Sequence, residues 1–119
     1  MSTSLGQISI ENFWNEDLKK VEIFYQRGSN IIENVFVLYN LADKRTIKDI
    51  HTFSFDLKDK MAWKAKIVTK DGQFWSSGDY LPCQIQDNDN GKVTINFNGN
   101  SKQMSIIYPT SGSCSKEMY

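Results

Sequence analysis

The chain has few residues of the kinds that carry catalysis, metal binding or covalent cross-linking. It contains one histidine, two cysteines and two prolines. A zinc site would need both cysteines together with His51 and a carboxylate. No glycine-rich phosphate loop, nucleophile elbow or pair of catalytic carboxylates is recognisable. We therefore expect a protein that is not an enzyme and holds no metal or cofactor.

An excess of charge of one sign is also lacking. Fourteen basic residues balance fourteen acidic ones, and no run of lysine or arginine is longer than two residues. Binding to nucleic-acid phosphates needs several cations that converge on one surface. We therefore do not expect nucleic acid as a partner.

Long hydrophobic runs are missing as well. No apolar segment approaches the roughly 20 residues of a membrane-spanning helix. The first residues, MSTSLGQISIENFW, have neither the basic start nor the apolar centre of a signal peptide. These features predict a soluble protein that is cytoplasmic as synthesised, with release by a route that needs no signal peptide left open.

The strongest pattern that is present is an alternation of apolar and polar residues, and it is clearest in residues 61–75. Trp63 lies in the middle of the apolar parity, whereas Lys64 and Lys66 occupy the other parity. A period of two is that of a half-buried strand. Asp71 and Gly72 then predict a turn, after which the chain returns as a second strand.

Similar short segments recur along the whole chain, with turn residues between them. In residues 92–98, Val93, Ile95 and Phe97 alternate with polar residues. We count about nine such strands and no convincing helix, which predicts an all-β, single-domain antiparallel β-sandwich over residues 1–119. A barrel is the second choice. A short polar C-terminal tail is expected from about residue 110.

Two segments depart from simple alternation. Residues 34–40 (NVFVLYN) are apolar on both parities, which predicts a strand covered on both faces or one whose outer face meets a partner. Pro82 cannot donate to a strand ladder, so its segment should be an edge strand or contain a bulge.

The residues with chemical potential each have an ordinary structural explanation. Asp49 and His51 share a parity, and the carboxylate could orient the imidazole as a general base. We expect instead a partly buried histidine without a catalytic role. Residues 87–91 (DNDNG) offer oxygen ligands for calcium, yet these are also common residues of a hairpin loop, which we favour. Cys83 and Cys114 could bridge if the tail folds back, with free thiols as the default.

Aromatic residues beside turns are the candidate binding residues: Trp14, Phe74, Trp75 and Tyr80. The structural alternative is that these rings cap the ends of the core. We predict that Trp63 is a core residue. We also predict that Trp75, with Phe74 or Tyr80, is at least partly exposed near one end of the sandwich.

The strand order, the opening ISIENFW, Trp63 and the segment LPCQIQDNDNGKVTI together resemble the aegerolysin-like β-sandwich group over residues 7–108. That group includes fungal and bacterial aegerolysins and small components of bacterial insecticidal toxin pairs. The resemblance implies recognition of membrane lipids, often with a larger partner that forms the pore. No binding residue of the group can be matched to a position in this chain.

The sequence therefore favours a non-enzymatic binding module that engages a membrane-lipid surface or a larger partner protein, as an aegerolysin-like protein or the small component of a two-part toxin. The alternative is a cytoplasmic protein–protein interaction module, such as an immunity-type protein or a homodimer. The apolar second face of residues 34–40 supports this alternative.

Overall fold

The computed structural model describes residues 4–28 and 32–119, and it consists of two β-sheets packed face to face. The first sheet has the strand order β10-β9-β8-β1-β4, and the second sheet has the order β3-β2-β5-β6, with β7 also paired to β5. The strands are β1 (Ser4–Phe13), β2 (Leu18–Arg27), β3 (Ile32–Leu41), β4 (Thr46–Phe55), β5 (Met61–Thr69), β6 (Phe74–Ser76), β7 (Leu81–Pro82), β8 (Lys92–Asn98), β9 (Gln103–Tyr108) and β10 (Gly112–Glu117).

The predicted β-sandwich is confirmed, with one difference in strand direction. Every pairing between described strands is antiparallel except that of β1 with β8, which run parallel from Gln7↔Lys92 to Phe13↔Asn98. The connection between these two neighbours contains β2, β3, β5, β6 and β7 of the second sheet as well as β4. Alternation within a strand shows which face is buried, but it does not show the direction of the neighbouring strand.

The core lies between the sheets and follows the predicted parities. Trp63 is completely buried, and its ring centroid lies 4.5 Å from that of Tyr25 and 5.3 Å from that of Phe53. The polar tips of the rings are hydrogen-bonded: Trp63 Nε1 donates to the Tyr108 hydroxyl at 3.1 Å, and Tyr25 donates to the Ser54 carbonyl at 2.9 Å. The prediction that Trp63 is a core residue is confirmed.

The hairpin predicted for residues 61–75 is present as β5 and β6. Ile67 lies opposite Trp75 and Val68 lies opposite Phe74. The turn contains Gly72 with a φ of 89°, a value that suits glycine because it has no Cβ. Pro82 lies in β7, a two-residue strand at the edge of the second sheet, as its missing N–H requires.

The polar tail expected from about residue 110 is wrong, because this segment forms β10. It pairs with β9 from Gly112↔Tyr108 to Glu117↔Gln103. Beyond β10, the backbone N–H and C=O of Tyr119 both bond to Ser76 at 2.8 Å, which joins the first sheet to the second. This strand could not be predicted from the sequence, because small polar residues such as Ser113 and Ser115 give no alternation of apolar and polar positions.

The two cysteines form a disulfide, so the default expectation of free thiols is wrong. Cys83 follows β7 and Cys114 lies in β10, with Cα atoms 6.0 Å apart. The bridge crosses from the second sheet to the first, on the same side of the sandwich as the contact between Tyr119 and Ser76. This side is therefore closed by both a covalent bond and backbone hydrogen bonds.

The expectation of a hairpin loop at residues 87–91 is wrong. This segment connects β7 of the second sheet to β8 of the first sheet, and these two strands do not pair with each other. A short 3-10 helix spans Asp87–Asp89, and the side chain of Asp89 is buried. Its carboxylate accepts five hydrogen bonds, from the N–H of Gln86 and from the N–H and hydroxyl groups of both Thr110 and Ser111. Because both oxygens of Asp89 accept hydrogen bonds from the protein, this carboxylate serves the fold and is not turned outward as a calcium ligand would be.

Burial by itself raises the pKa of the Asp89 carboxyl, but the hydrogen bonds from Ser111, Gln86 and Thr110 outweigh it and lower the pKa. A carboxyl whose pKa falls on folding stabilises the protein above its unfolded pKa of about 4. That stabilisation is lost as the pH falls through the lower, folded-state pKa.

We expect Asp89→Asn to lower the free energy of unfolding by about 3 kcal/mol at neutral pH, because the amide cannot accept all five bonds and places its own donors against them. Asp87→Asn, in the same loop but exposed, should change it by no more than about half a kcal/mol. Urea unfolding from pH 7 to pH 2 measures both. The gap between wild type and Asp89→Asn should narrow below about pH 4, and a constant gap would contradict this account.

The assignment of buried and outward residues along β8 can be tested by their effects on the free energy of unfolding. Phe97 is fully buried, so Phe97→Ala should cost about 3–5 kcal/mol through lost burial and a cavity. Thr94 faces outward and is half-buried, so Thr94→Ala should cost only about half a kcal/mol. Similar costs in urea unfolding would mean that the strand is buried on both faces in solution.

Candidate binding surface

The outer faces of the two sheets differ in chemistry. The outer face of the first sheet carries mainly uncharged polar residues, among them Ser9, Thr94, Asn96, Ser105 and Ser115, with Leu5, Phe13 and Ile107 as apolar exceptions. The outer face of the second sheet carries apolar and aromatic residues together with lysines, among them Phe24, Val35, Val37, Lys64, Lys66, Val68 and Phe74. A solvated sheet face does not need aromatic rings interleaved with lysines, so the second face is the candidate for binding.

Lysines on this face lie over aromatic rings. Lys64 Nζ is 5.2 Å from the ring centroid of Phe24 and 4.7 Å from that of Tyr80. Lys66 Nζ is 5.6 Å from the same Phe24 ring. Such contacts between a cation and an aromatic face are attractive and hold the ammonium groups in place. We call Phe24, Lys64, Lys66, Phe74 and Tyr80 the lysine–aromatic face.

The charges around the lysine–aromatic face are mixed but favour positive. Lys20 extends the row of lysines on β2, with Nζ 5.9 Å from the Tyr39 ring and 3.9 Å from Glu22. At the margin, the Tyr80 hydroxyl donates to the carboxylate of Glu33. Burial and this hydrogen bond raise the pKa of Tyr80 above its usual value, so the phenol stays protonated. Three lysines therefore share the surface with two carboxylates, one of them engaged by Tyr80.

The predicted aromatic candidates separate into exposed and buried rings. Phe74 is 79% exposed and projects from β6, while Trp75 and Tyr80 are half-buried. The expectation that Trp75, with Phe74 or Tyr80, is partly exposed is confirmed. Phe74 and Tyr80 lie on the outer face of the second sheet, whereas Trp75 points toward the core, as its partner Ile67 does.

The choice of Trp14 as a candidate binding residue is corrected, because only 2% of this residue is exposed. Its ring packs edge-on against Trp75, with centroids 5.2 Å apart, and Lys102 Nζ lies 5.1 Å from the Trp14 ring. The chain can fold this way because Gly99 passes against the Trp14 backbone, where a Cβ would lie 2.1 Å from the Trp14 carbonyl oxygen. Trp14 therefore caps one end of the core, and it supports Trp75 from beneath.

A groove of about 430 Å³ runs beside Phe74 at the corner of the second sheet. Its lining combines the rings of Phe74, Trp75 and Tyr119 with the charged side chains of Lys66 and Glu22. Tyr119 is 74% exposed and is held there by its backbone bonds to Ser76. The groove extends the lysine–aromatic face to the end of the chain.

Sequence reasoning missed Phe24, Lys64, Lys66 and Tyr119 as site residues. The outward parity of Lys64 and Lys66 was visible, but their position beside Phe24 depends on the register Phe24↔Lys64 and Glu22↔Lys66 between β2 and β5. Tyr119 was assigned to a tail. The available signal was the presence of lysines and a phenylalanine on the outward parity of neighbouring strands.

The Asp49 carboxylate and the His51 imidazole do not form the interaction that their shared parity in the sequence allowed. Between Ile8 and Ile10 the register of β1 with β4 shifts, and Asp49 adopts a φ of 51°. Asp49 is exposed and pairs with Lys92 at 3.2 Å, whereas the His51 ring stacks on Phe36 at 5.2 Å. Burial lowers the pKa of His51. The bulge thus separates the carboxylate from the imidazole.

Within residues 4–28 and 32–119, no group of three histidine, cysteine, aspartate or glutamate side chains is close enough to hold a metal ion. The same part of the chain contains no helix long and apolar enough to cross a membrane.

Comparison with known proteins gives no family assignment: no protein-family model matches the chain, and no curated protein matches it at a significant level. The resemblance to the aegerolysin-like group stays a prediction from the sequence.

Proposed function

We propose that this protein is a non-enzymatic binding module that engages an anionic membrane-lipid surface through its lysine–aromatic face. The observation that carries the proposal is the placement of Lys64 and Lys66 over Phe24 and Tyr80 on an outward sheet face, with Phe74 protruding beside them. Lysines attract anionic headgroups, and aromatic rings favour the boundary between headgroups and acyl chains. The two residue types therefore suit one target.

The expected affinity of one copy is low. Each lysine near an anionic leaflet contributes about 1 kcal/mol, so Lys64 and Lys66 contribute about 2 kcal/mol, whereas the charge of Lys20 is offset by Glu22 at 3.9 Å. A half-inserted ring of Phe74 buries about 100 Å² and adds about 2.5 kcal/mol. The total of about 4–5 kcal/mol corresponds to a dissociation constant in the millimolar to submillimolar range, before the cost of association. Tight binding would require several copies or a second protein on the membrane.

The aegerolysin-like resemblance supports the same kind of target, because it implies lipid recognition. In that case the protein would be the small component of a two-part toxin, and a larger partner would form the pore. The protein–protein alternative is supported by a different feature, the outer edge of β3, and does not need the lysine–aromatic face.

We expect the protein to co-sediment with vesicles of phosphatidylcholine and phosphatidylserine, and much less with phosphatidylcholine alone. Added salt should weaken the binding because it screens exposed charges. Replacing Lys64 and Lys66 together with glutamine should weaken binding about 30-fold, which corresponds to about 2 kcal/mol for two lysines. Phe74→Ser should weaken it further without affecting folding, since the ring is 79% exposed.

The matched control is the pair Lys48→Gln and Lys58→Gln, both exposed and outside the second sheet. It removes the same charge and should leave binding within about threefold of wild type, since distant exposed charges are largely screened. Equal losses for the two pairs would show general attraction without a defined surface. Equal binding to neutral and anionic vesicles, or to neither, would refute the proposal.

A further inference from the structure

The two sides of the sandwich end differently. On one side, the Cys83–Cys114 disulfide and the bonds between Tyr119 and Ser76 connect the sheets. On the other side, β3 ends the second sheet and β4 ends the first. Among the described strands, β3 pairs only with β2, and β4 pairs only with β1. The backbone groups along the outer edges of β3 and β4 are thus not used by sheet pairing in this structure.

The edge of β4 carries features that discourage pairing with another strand. The register shift opposite Ser9 is a bulge, and the backbone N–H of Asp49 donates to the Ser9 hydroxyl at 3.0 Å. Lys48 lies within the same irregular stretch. Bulges and lysines are common means by which proteins protect an exposed edge. β4 is therefore a poor template for a further strand.

The edge of β3 lacks these protections. The strand spans ten residues, keeps a single register with β2 and contains no lysine, arginine or proline, and its one backbone irregularity is Asn40, with a φ of 59°, near the end of the strand. On the face of β3 that points away from the core, Val35 is 48% exposed and Tyr39 is 62% exposed. Phe36 and Leu38, on its inner side, are only half-buried against the core. The regular, apolar stretch of this edge from Val35 to Tyr39 favours pairing.

The charges at the ends of β3 suit a second copy of the same chain. Glu33 lies at one end of the outward row, and Lys20 lies beside Tyr39 at the other end. Within one copy Glu33 accepts a hydrogen bond from Tyr80, and Lys20 lies 3.9 Å from Glu22. Antiparallel pairing of β3 with itself brings the opposite charge, Lys20 of the other copy, to the same end of the strand as Glu33. Between Asn34 and Leu41 the strand carries no charge, so no like charges meet at the two-fold axis. The contact is thus self-complementary, as an isologous dimer requires.

We propose that β3 pairs antiparallel with β3 of a second copy, so that two second sheets form one continuous sheet in a two-fold dimer. Two identical antiparallel strands of one sheet are related by an axis perpendicular to that sheet. Both lysine–aromatic faces therefore point to the same side. The dimer presents twice the surface to one target, which raises the avidity of a weak site. The dimer itself does not depend on the proposed lipid binding.

Sedimentation velocity from micromolar to submillimolar protein tests the proposal. Wild type should convert from monomer to dimer and form nothing larger, because the contact uses the β3 edge of both copies. Val35→Lys should raise the dissociation constant of the dimer at least tenfold, since two lysines then meet near the axis. Ile107→Lys is the matched control: Ile107 is 37% exposed on β9, an interior strand of the first sheet, and dimerisation should not change.

Hydrogen exchange of the wild-type protein locates the contact without any variant. Amides of residues 33–41 should become more protected as the protein concentration rises, while those of residues 46–55 should not. A protein that is monomeric throughout, a dimer protected elsewhere, or open-ended oligomers would each overturn the proposal. Equal effects of Val35→Lys and Ile107→Lys would overturn it as well.

Discussion

The packing of Trp63 against Tyr25 and Phe53 between the two sheets determines which residues reach the outer surface. Because side chains alternate along a strand, burial of Trp63 on β5 requires Lys64 and Lys66 to face outward. Burial of Tyr25 on β2 has the same consequence for Phe24. A register slip of one residue would move the lysines into the core, where unpaired charges cost several kcal/mol each. The aromatic core therefore maintains the lysine–aromatic face.

The sandwich is closed by contacts between the sheets on one side and ends in two edge strands, β3 and β4, on the other. The closed side combines the disulfide, the Tyr119–Ser76 backbone pair and the buried Asp89 carboxylate, which holds residues 110 and 111. These contacts connect segments that are distant in sequence and limit the opening of the sheets. The open side keeps the β3 edge with its exposed Val35 and Tyr39. Both sides border the second sheet, whose outer face carries the lysines.

The sequence contained enough local information to predict the β-sandwich, the β5–β6 hairpin, the buried parity of Val93, Ile95 and Phe97, and the core position of Trp63. It did not reveal β10, because a strand of small polar residues at a sheet edge has no apolar alternation. It misplaced Trp14, since the burial of that ring depends on the distant Gly99 and Trp75. The role of Asp89 depends on Thr110 and Ser111, and the lysine–aromatic face depends on the register between β2 and β5. Contacts of this kind are set by tertiary structure.

The central claim is that the outer face of the second sheet is the surface by which the protein binds. The most direct measurement is a titration of isotope-labelled protein with phosphatidylserine-containing bicelles, followed through its amide NMR signals. The account predicts that changes concentrate at Phe24, Lys64, Lys66 and Phe74, with little change at Ser9, Thr94 and Ser105 on the first sheet. Changes centred on the first sheet, or spread evenly over both faces, would contradict it.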